Sequence, residues 1–533
     1  MIRRPLHARA LAHRQRDNAP PVPDTLASAS AAAITSPAFS LSPQRPLVTH
    51  GVQSGDVSLD SGMVWARADR PARMFIEAAT TDTFKETYHA SFADALPETD
   101  FTAKVLVEDL PPGQDIFYRL RFQDLWSPQA VSEPVVGRFR TASIDRRSIS
   151  FVWSGDTAGQ GWGIDTSRGG MRTYRTMLHN RPDFFVHCGD SIYADCTVPA
   201  QQKLPSGETW RNVVTEEKSK VATSLDDYRG NYKYNLLDAN LRDFNAEVPI
   251  FAQWDNHEVM EDWWPGEAFE RRGYDTNSAL LLAARGCRAF HEFMPLRFSP
   301  SEPGRIYRKI SYGPLLDLFL LDMRSYRGAN ERPTSQYGPD AYLLGPVQFA
   351  WLKRELQRST GTWKVIASDT PIGTIVGHAR DALRPLGRGI EIADLLSFMQ
   401  HQAIRNTTWI TADLHYTAAH YFDPNHAAFQ DFEPFWEFVS GPIHAGTWTS
   451  CALDQTFGPQ VVFHSAASQE QGDNLAPSFG LQFFGHVAID GATETLAVTL
   501  KDVDDRATLW AVTMQPKSDQ SARRVSRPIP GKT

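Results

Sequence analysis

Between Pro46 and Thr141 the apolar residues fall into short segments separated by turn residues, with Pro111-Pro112-Gly113 as one break. In SGMVWARA, ARMFIEAAT, TAKVLVEDL and DIFYRLRF, apolar and polar positions alternate and Val, Ile, Phe and Tyr are frequent. That period of two predicts half-buried strands. Roughly five to seven of them in this span predict a β-sandwich over residues 46–142. From Arg146 to Met514 the pattern changes. Apolar runs predict strands over Ser148–Trp153, Asp183–Cys188, Val248–Gln253, Leu315–Leu321, Trp363–Ala367 and Thr408–Thr411. Between them GMRTYRTMLHN, NSALLLAARGCRAFHEFM and GPVQFAWLKRELQRS have helical spacing. Strands alternating with helices predict an α/β domain over 146–514, in which ligands gather beyond the carboxyl ends of the strands.

The residues at those ends are unusually polar. The first strand runs into Ser154-Gly155-Asp156, the second into Gly189-Asp190-Ser191-Ile192-Tyr193-Ala194-Asp195, and the third into Trp254-Asp255-Asn256-His257-Glu258. The fourth reaches Asp322-Met323-Arg324-Ser325-Tyr326-Arg327, the fifth Ser368-Asp369-Thr370-Pro371, and the sixth Ala412-Asp413-Leu414-His415-Tyr416. A single Asp at a strand end serves as a turn former or helix N-cap; six strands in succession need another explanation. Carboxylate, imidazole, amide and phenol at one rim suit hard or borderline cations. Two such ions about 3.5–4 Å apart can share a carboxylate and clamp a phosphoryl group.

Composition narrows the field. The chain of 533 residues is 41% apolar and 11% aromatic, enough for a sizeable core, and its net charge of −8 gives no basic footprint for nucleic acid. No run reaches the ~18 apolar residues that a membrane span needs. Cys188, Cys196, Cys287 and Cys451 are too few and scattered for a disulfide framework or zinc ribbon. Cys188 and Cys196 remain open as ligands, a disulfide or buried thiols. Residues 1–45, rich in Ala, Ser and Pro, read as a flexible leader, and residues 515–533 as a polar tail. Arg3-Arg4 has no apolar stretch behind it, which leaves a twin-arginine export signal incomplete.

In their order and spacing, SGD, GDSIYAD, WDNHE and DLHY resemble the calcineurin-type metallophosphoesterase superfamily and, more narrowly, its PhoD-like alkaline phosphatase family. HGVQSGDVSLDSGMVWARA is similar to that family's opening strand, so the resemblance covers Pro46–Met514. It implies an α/β metallophosphoesterase domain, an α/β/β/α sandwich, preceded by a smaller immunoglobulin/fibronectin-like β-sandwich. It also implies a metal-dependent phosphoric ester hydrolase, alkaline phosphatase or phosphodiesterase, in which metal-activated hydroxide attacks phosphorus in line. The implied substrates are small-molecule or lipid phosphate esters. The resemblance points to a periplasmic or secreted location, while the incomplete signal leaves a cytoplasmic one open.

Position by position, the resemblance makes Asp156 a terminal ligand of a first metal, Asp190 the bridging ligand and Tyr193 a phenolate suited to Fe3+, with His415 completing that site. A second metal would take Asp190, Asn256 and Asp413, with Asp369 where purple acid phosphatases use His. His257 would face the substrate and stabilise or protonate the leaving oxygen, oriented by Asp255 or Glu258. Many relatives carry a Cys ligand in a Ser-Cys-Gln stretch where this chain has Ser154-Gly155-Asp156. Carboxylates at Asp369 and Asp413, where imidazoles are common, favour Ca2+, Mg2+ or Mn2+ over Zn2+. The expected cofactors are Fe3+ and Ca2+, with Mn2+, Mg2+ or Zn2+ open at the second site.

Around this set, Arg324 is the candidate substrate-binding guanidinium, with Arg327 beside it; the competing reading pairs them with Asp322 or Glu258. His187 reads as a core histidine, His444 either as part of a loop that reaches the site or as the source of a loop hydrogen bond, and Trp162, Trp254, Trp263 and Trp264 as pocket wall. Thr197–Tyr234 reads either as a lid or as a surface excursion. Two other functions stay open: a phosphodiesterase specialised for lipid head-group or nucleotide diesters, and a non-catalytic binding protein on the same fold. Against the latter stands the complete set of candidate ligands.

Overall fold

The computed structural model describes residues 45–89, 91–270, 273–330, 336–375, 385–505 and 508–517. Apart from residue 45, the expected leader lies outside these residues, as does the expected tail beyond residue 517.

The N-terminal strands form two sheets. One contains β1 (Val48–Gly55), β2 (Gly62–Ala68) and β6 (Thr102–Val107). The other contains β3 (Ala72–Ala79), β4 (Tyr88–His89), β5 (Ala93–Ala95), β7 (Asp115–Asp124) and β8 (Val135–Arg140). Along β7 every second residue is buried, with Ile116, Tyr118, Leu120 and Phe122 turned into the core, as the alternation requires. The first sheet does not end with the sandwich. Gly55 of β1 pairs in parallel with Ile250 of β13 (Ile250–Gln253). A Cβ on Gly55 would lie 2.5 Å from the Ile250 carbonyl, so only glycine permits the junction.

The joined sheet also holds β9 (Ile149–Ser154), β10 (Phe184–Cys188), β21 (Phe483–Ile489), β22 (Leu496–Asp502) and β23 (Thr508–Met514), in the order β23-β22-β21-β9-β10-β13-β1-β2-β6. A hairpin of β11 (Gln201–Lys203) and β12 (Thr209–Arg211) stands apart. The second large sheet comprises β14 (Arg308–Ser311), β15 (Leu316–Leu320), β16 (Trp363–Ala367), β17 (Thr407–Thr411), β18 (Thr417–Phe422), β19 (Phe435–Val439) and β20 (Pro459–Ser465), ordered β14-β15-β16-β17-β19-β18-β20.

Strand periodicity explains the layers. Phe151, Trp153, Phe184, Val186 and Phe251 of the first sheet meet Leu316, Leu318, Leu320, Val365 and Ile410 of the second. The intervening residues face outward. Val152, Phe185 and Ala252 pack under α1 (Arg172–His179), α2 (Leu225–Asn235), α3 (Ala239–Glu247) and α4 (Ala279–Phe293). Phe319, Ile366 and Trp409 pack under α5 (Gly345–Arg358) and α7 (Gly389–His401), with the short α6 (Ile372–Ile375) between these helices in sequence. The result is the expected α/β/β/α sandwich, its central strands apolar on both faces. Burying each such large side chain contributes about 1.5–3 kcal/mol.

The segment Thr197–Tyr234 is neither wholly lid nor wholly excursion. After the hairpin it enters α2, which opens with a capping box at Ser224 and buries Tyr228, Tyr232 and Tyr234. Its charged residues hid the helix because Arg229 is buried too, paired at 2.6 Å with Glu292 of α4. Among the described residues no helix is long and apolar enough to cross a membrane.

Candidate metal centre

Strands β9, β10 and β13 run parallel in one sheet, and β15, β16 and β17 run parallel in the other. Gln253 ties the two sets of ends together: its Nε2 donates to the carbonyls of Leu321 at 2.8 Å and Ala367 at 2.9 Å. The Trp153 indole donates to the Thr411 carbonyl at 3.2 Å. The polar residues that follow six strands therefore open at one shared edge. Asp156, Asp190, Asp413 and His415 have φ of 60°, 53°, 66° and 55°. Left-handed backbone costs a non-glycine residue roughly 1–2 kcal/mol, and such strain concentrates at functional sites.

Ligand atoms of Asp156, Asp190 and His415 all lie within 4.8 Å of one another. His415 is oriented by its Nδ1, 2.6 Å from the Gly446 carbonyl, so that Nδ1 carries the proton and the Nε2 lone pair faces the site. Nε2 lies 2.9 Å from the Tyr193 hydroxyl and 3.9 Å from Asp156 Oδ1. Burial pushes His415 down to about 3, which keeps the imidazole neutral. Tyr193 stacks on His257 with ring centroids 4.3 Å apart.

Asp369 and Asp413 reach the same edge from the second sheet. Asp369 accepts from the amide of Thr370 on its own loop at 2.9 Å and from that of Met323, on the loop after β15, at 3.3 Å. Asp156, Asp190, Asp369 and Asp413 are all held well above the usual carboxylate range, by burial first and then by the charge of Asp255. Both carboxylate oxygens of Asp156 and the side-chain oxygen of Asn256 are buried with no hydrogen-bond partner. Mutually repelling carboxylates with free lone pairs, beside a neutral imidazole with its lone pair turned inward, fit cations as the missing partners.

Glu258 organises the loops instead of orienting His257. It accepts from the amides of Asp190 at 3.1 Å, Ser191 at 2.6 Å and Asp255 at 2.8 Å, and burial lifts it to about 7. Asp255 is likewise spent elsewhere, on Arg324 Nε at 2.5 Å. The orienting carboxylate is Asp195, whose Oδ1 lies 2.7 Å from His257 Nδ1 while its Oδ2 accepts from the Glu261 amide at 2.7 Å. Burial alone would lower His257, but the Asp195 charge outweighs it and His257 is raised. Asp195 closes the GDSIYAD motif, and that second carboxylate, five residues after Asp190, was the available signal.

The Arg324 guanidinium thus pairs with neither Asp322 nor Glu258, although the Arg324 backbone amide donates to Asp322 at 3.1 Å. Asp322 accepts from the Trp254 indole at 3.0 Å and from the Ser325 hydroxyl at 2.6 Å. His187 lies behind the site, its Nε2 2.8 Å from the Thr157 hydroxyl. Both readings of His444 hold: its amide and that of Ala445 donate to the Asp156 carbonyl at 3.2 and 3.1 Å, while its ring Nε2 lies 3.0 Å from the Gly163 carbonyl. Lys218 carried no sequence signal. It is buried within the Thr197–Tyr234 segment and donates to the Tyr193 carbonyl at 2.8 Å and to Asn231 at 2.9 Å.

Two consequences are measurable. The unfolded chain ionises its aspartates near pH 4, whereas the folded, metal-free site retains protons at Asp156, Asp190, Asp369 and Asp413 above that pH. Metal-free protein should therefore lose stability as pH rises from about 4 towards the raised folded values. Cations in place of those protons remove the slope. In calorimetry the gap in Tm between metal-loaded and chelated protein should widen from pH 5 to pH 8; a constant gap would contradict the assignment. Separately, a Cβ on Gly159 would lie 2.0 Å from Tyr193 Cγ. Gly159→Ala should displace that ring at a cost of about 1–3 kcal/mol, and lower activity at least tenfold without altering a candidate ligand, as steady-state kinetics would report.

A family profile described as PhoD-like phosphatase matches residues 151–500, and one for the PhoD-like phosphatase N-terminal domain matches residues 31–143. The chain is 26% identical to alkaline phosphatase D of Bacillus subtilis over 393 residues, 69% of this chain and 64% of that protein. It thus spans just under two-thirds of that relative's length. In fold it is similar to the solved structure of PhoD, with TM-score 0.66 and 21% identity over 90% of each chain. It is also similar to purple acid phosphatase PPD1 from yellow lupin (Lupinus luteus) seeds, with TM-score 0.53 and 12% identity over 89% of this chain and 75% of the other.

Proposed function

The chain belongs to the PhoD-like phosphatase family, and from that premise we propose that it is a metal-dependent phosphoric ester hydrolase. The observation that carries the reading is the set of buried, partnerless oxygens on Asp156 and Asn256 among four charge-crowded carboxylates at one strand edge. Asp156, Asp190, Tyr193 and His415 would hold one ion, and Asp190, Asn256, Asp369 and Asp413 the other. The phenol favours Fe3+ in the first position, and the oxygen-rich second set favours Ca2+, with Mn2+, Mg2+ or Zn2+ as the competing occupants. When bound, such ions supply Lewis acidity to the phosphoryl oxygens and lower the pKa of water to the neutral range.

The chain's own groups do the rest. His257, raised by Asp195, holds its proton to higher pH than a free imidazole and donates it to the departing oxygen through Nε2. Arg324 is fixed by Asp255 through Nε and by Thr370 through Nη2 at 3.2 Å, and its buried Nη1 has no hydrogen-bond partner. That N–H is free to donate to a phosphoryl oxygen. The substrates are small phosphate esters, lipid esters among them.

The test is elemental analysis of the purified protein with hydrolysis of para-nitrophenyl phosphate and its bis-ester, before and after chelation. Bound metal and chelator-sensitive turnover are expected, and the ratio of the two rates distinguishes a monoesterase from a diesterase. A folded protein that neither binds these ions nor turns over either ester would refute the reading.

A further inference from the structure

Beside the metal centre lies a group of three guanidiniums, of which phosphoryl transfer uses only Arg324. Arg324 and Arg327 sit on the loop that follows β15, and Arg388 immediately precedes α7. Arg388 grips the same loop from its far end, donating to the Gly328 carbonyl at 3.1 Å and to the Asn330 side chain. Arg324, 3% exposed, has its Nη1 buried without a hydrogen-bond partner. The same holds for Nε of Arg327 and Nε of Arg388. A buried donor left unmade costs about 1–3 kcal/mol, and more when it is charged. Three on neighbouring positions point to an absent acceptor.

The nearby carboxylates do not supply it. Asp255 is committed to Arg324, and Asp369 and Asp413 belong to the proposed metal set. Asp262 stands 3.6 Å from Arg324 Nη1, beyond hydrogen-bond range, with its side chain 71% exposed. The cations instead press on one another. Burial first, then the Arg324 charge, lowers both Arg327 and Arg388, the latter to about 10. A single phosphoryl group held by the ions and Arg324 leaves the other two guanidiniums without an acceptor.

We propose that Arg327 and Arg388, with Arg324 at the boundary, form a second anion site, and that the preferred substrates are phosphate esters carrying a further anionic group, a carboxylate or a second phosphate. This rests on the hydrolase reading above. Planar forks with free N–H groups match carboxylate and phosphate oxygens bidentately, which a lysine would not do. The neutral remainder of an alkyl or aryl phosphate would gain nothing there.

The experiment compares two matched pairs of different reach: glycerol 2-phosphate against 2-phosphoglycerate, and adenosine 5′-monophosphate against adenosine 3′,5′-bisphosphate. In the metal-loaded full chain the extra anion should raise kcat/KM at least tenfold in one pair. The double variant Arg327→Gln/Arg388→Gln should reduce that advantage to within about twofold, a gain of about 1.4 kcal/mol per decade being what the forks supply. Arg354→Gln, which removes only a surface pair with Glu355, should retain it. No advantage in either pair, or an advantage undiminished in the double variant, overturns the proposal. If circular dichroism shows the glutamine variant unfolded, Arg327→Lys/Arg388→Lys takes its place; a loss of threefold or more is expected, and none overturns it. Should no ester be turned over, the hydrolase reading has failed, and calorimetry decides the anion site separately. Benzene-1,3-disulfonate should then bind wild type more tightly than benzenesulfonate and lose that preference in the double variant; equal binding of both overturns it.

Discussion

Asp190→Asn should lower kcat for para-nitrophenyl phosphate by at least about a thousandfold, roughly 4 kcal/mol at 1.36 kcal/mol per decade, and leave the chain folded. Asp190 is the carboxylate at the junction of the two proposed ligand sets. It lies within 4.8 Å of the Asp156 and His415 ligand atoms, and it accepts from the His257 amide at 3.1 Å. Asparagine keeps the shape and an acceptor for that amide, so the loop should hold. What it loses is the negative charge that two cations would share. Elemental analysis should accordingly show at least one ion lost per chain. The stability of the metal-free proteins should change in the opposite direction. At pH 8 the Asp190 carboxylate is buried among Asp255, Glu258, Asp156 and Asp413, and its neutral replacement relieves that repulsion. Chelated Asp190→Asn should therefore melt above chelated wild type. A variant with full metal content and activity would remove Asp190 from the centre.

His257→Gln should cost about 10²–10⁴-fold in kcat, the range of a lost general acid, and Asp195→Asn should reproduce part of that loss with a distinctive pH signature. Asp195 contacts His257 Nδ1 at 2.7 Å, and its charge raises His257 against the opposing effect of burial. A general acid acts only while protonated, so the His257-dependent part of kcat declines as pH rises through its raised pKa. Asp195→Asn lowers that pKa, and the decline should begin at a lower pH. The stability contribution has the same direction. A raised folded pKa stabilises fully below the unfolded value of about 6.5 and fades as pH rises through the folded value. Asp195→Asn should thus destabilise most in mildly acidic solution. An unshifted profile of kcat against pH would assign Asp195 a packing role only. A leaving group that needs no proton, such as para-nitrophenolate, should be less sensitive to both variants than an alkyl phosphate, which separates proton donation from general damage to the site.

Much of this site was legible along the chain because its signals are local. A strand buried on both faces must be a short apolar run, and the residue after it must turn. Asp156, Asp190, Asn256, Asp369, Asp413 and His415 could therefore be placed at one sheet edge from the sequence, by the apolar runs and the polar residue at each strand end. The three helices with clear spacing, α1, α4 and α5, were legible on the same ground. Helix α2 was not, because its buried Arg229 and Asp227 gain their partners from α4 and from the helix's own cap.

The tertiary structure alone decided which groups meet. That Asp195 and not Asp255 or Glu258 turns to His257 depends on how closely the loops after β10 and β13 approach, and no pattern of neighbours along the chain encodes that distance. The closing strands β21 to β23 return to β9 across more than three hundred residues, with Gly485 facing Trp153. The junction of β1 with β13 depends on a glycine whose value is visible only beside the carbonyl it approaches. Arg388 joins Arg324 and Arg327 through a loop and a helix start that share no motif. Hydrophobic periodicity is a property of consecutive residues and is written in the sequence. Charge pairing and close backbone approach belong to residues brought together by folding, and they appear only when the sheets are stacked.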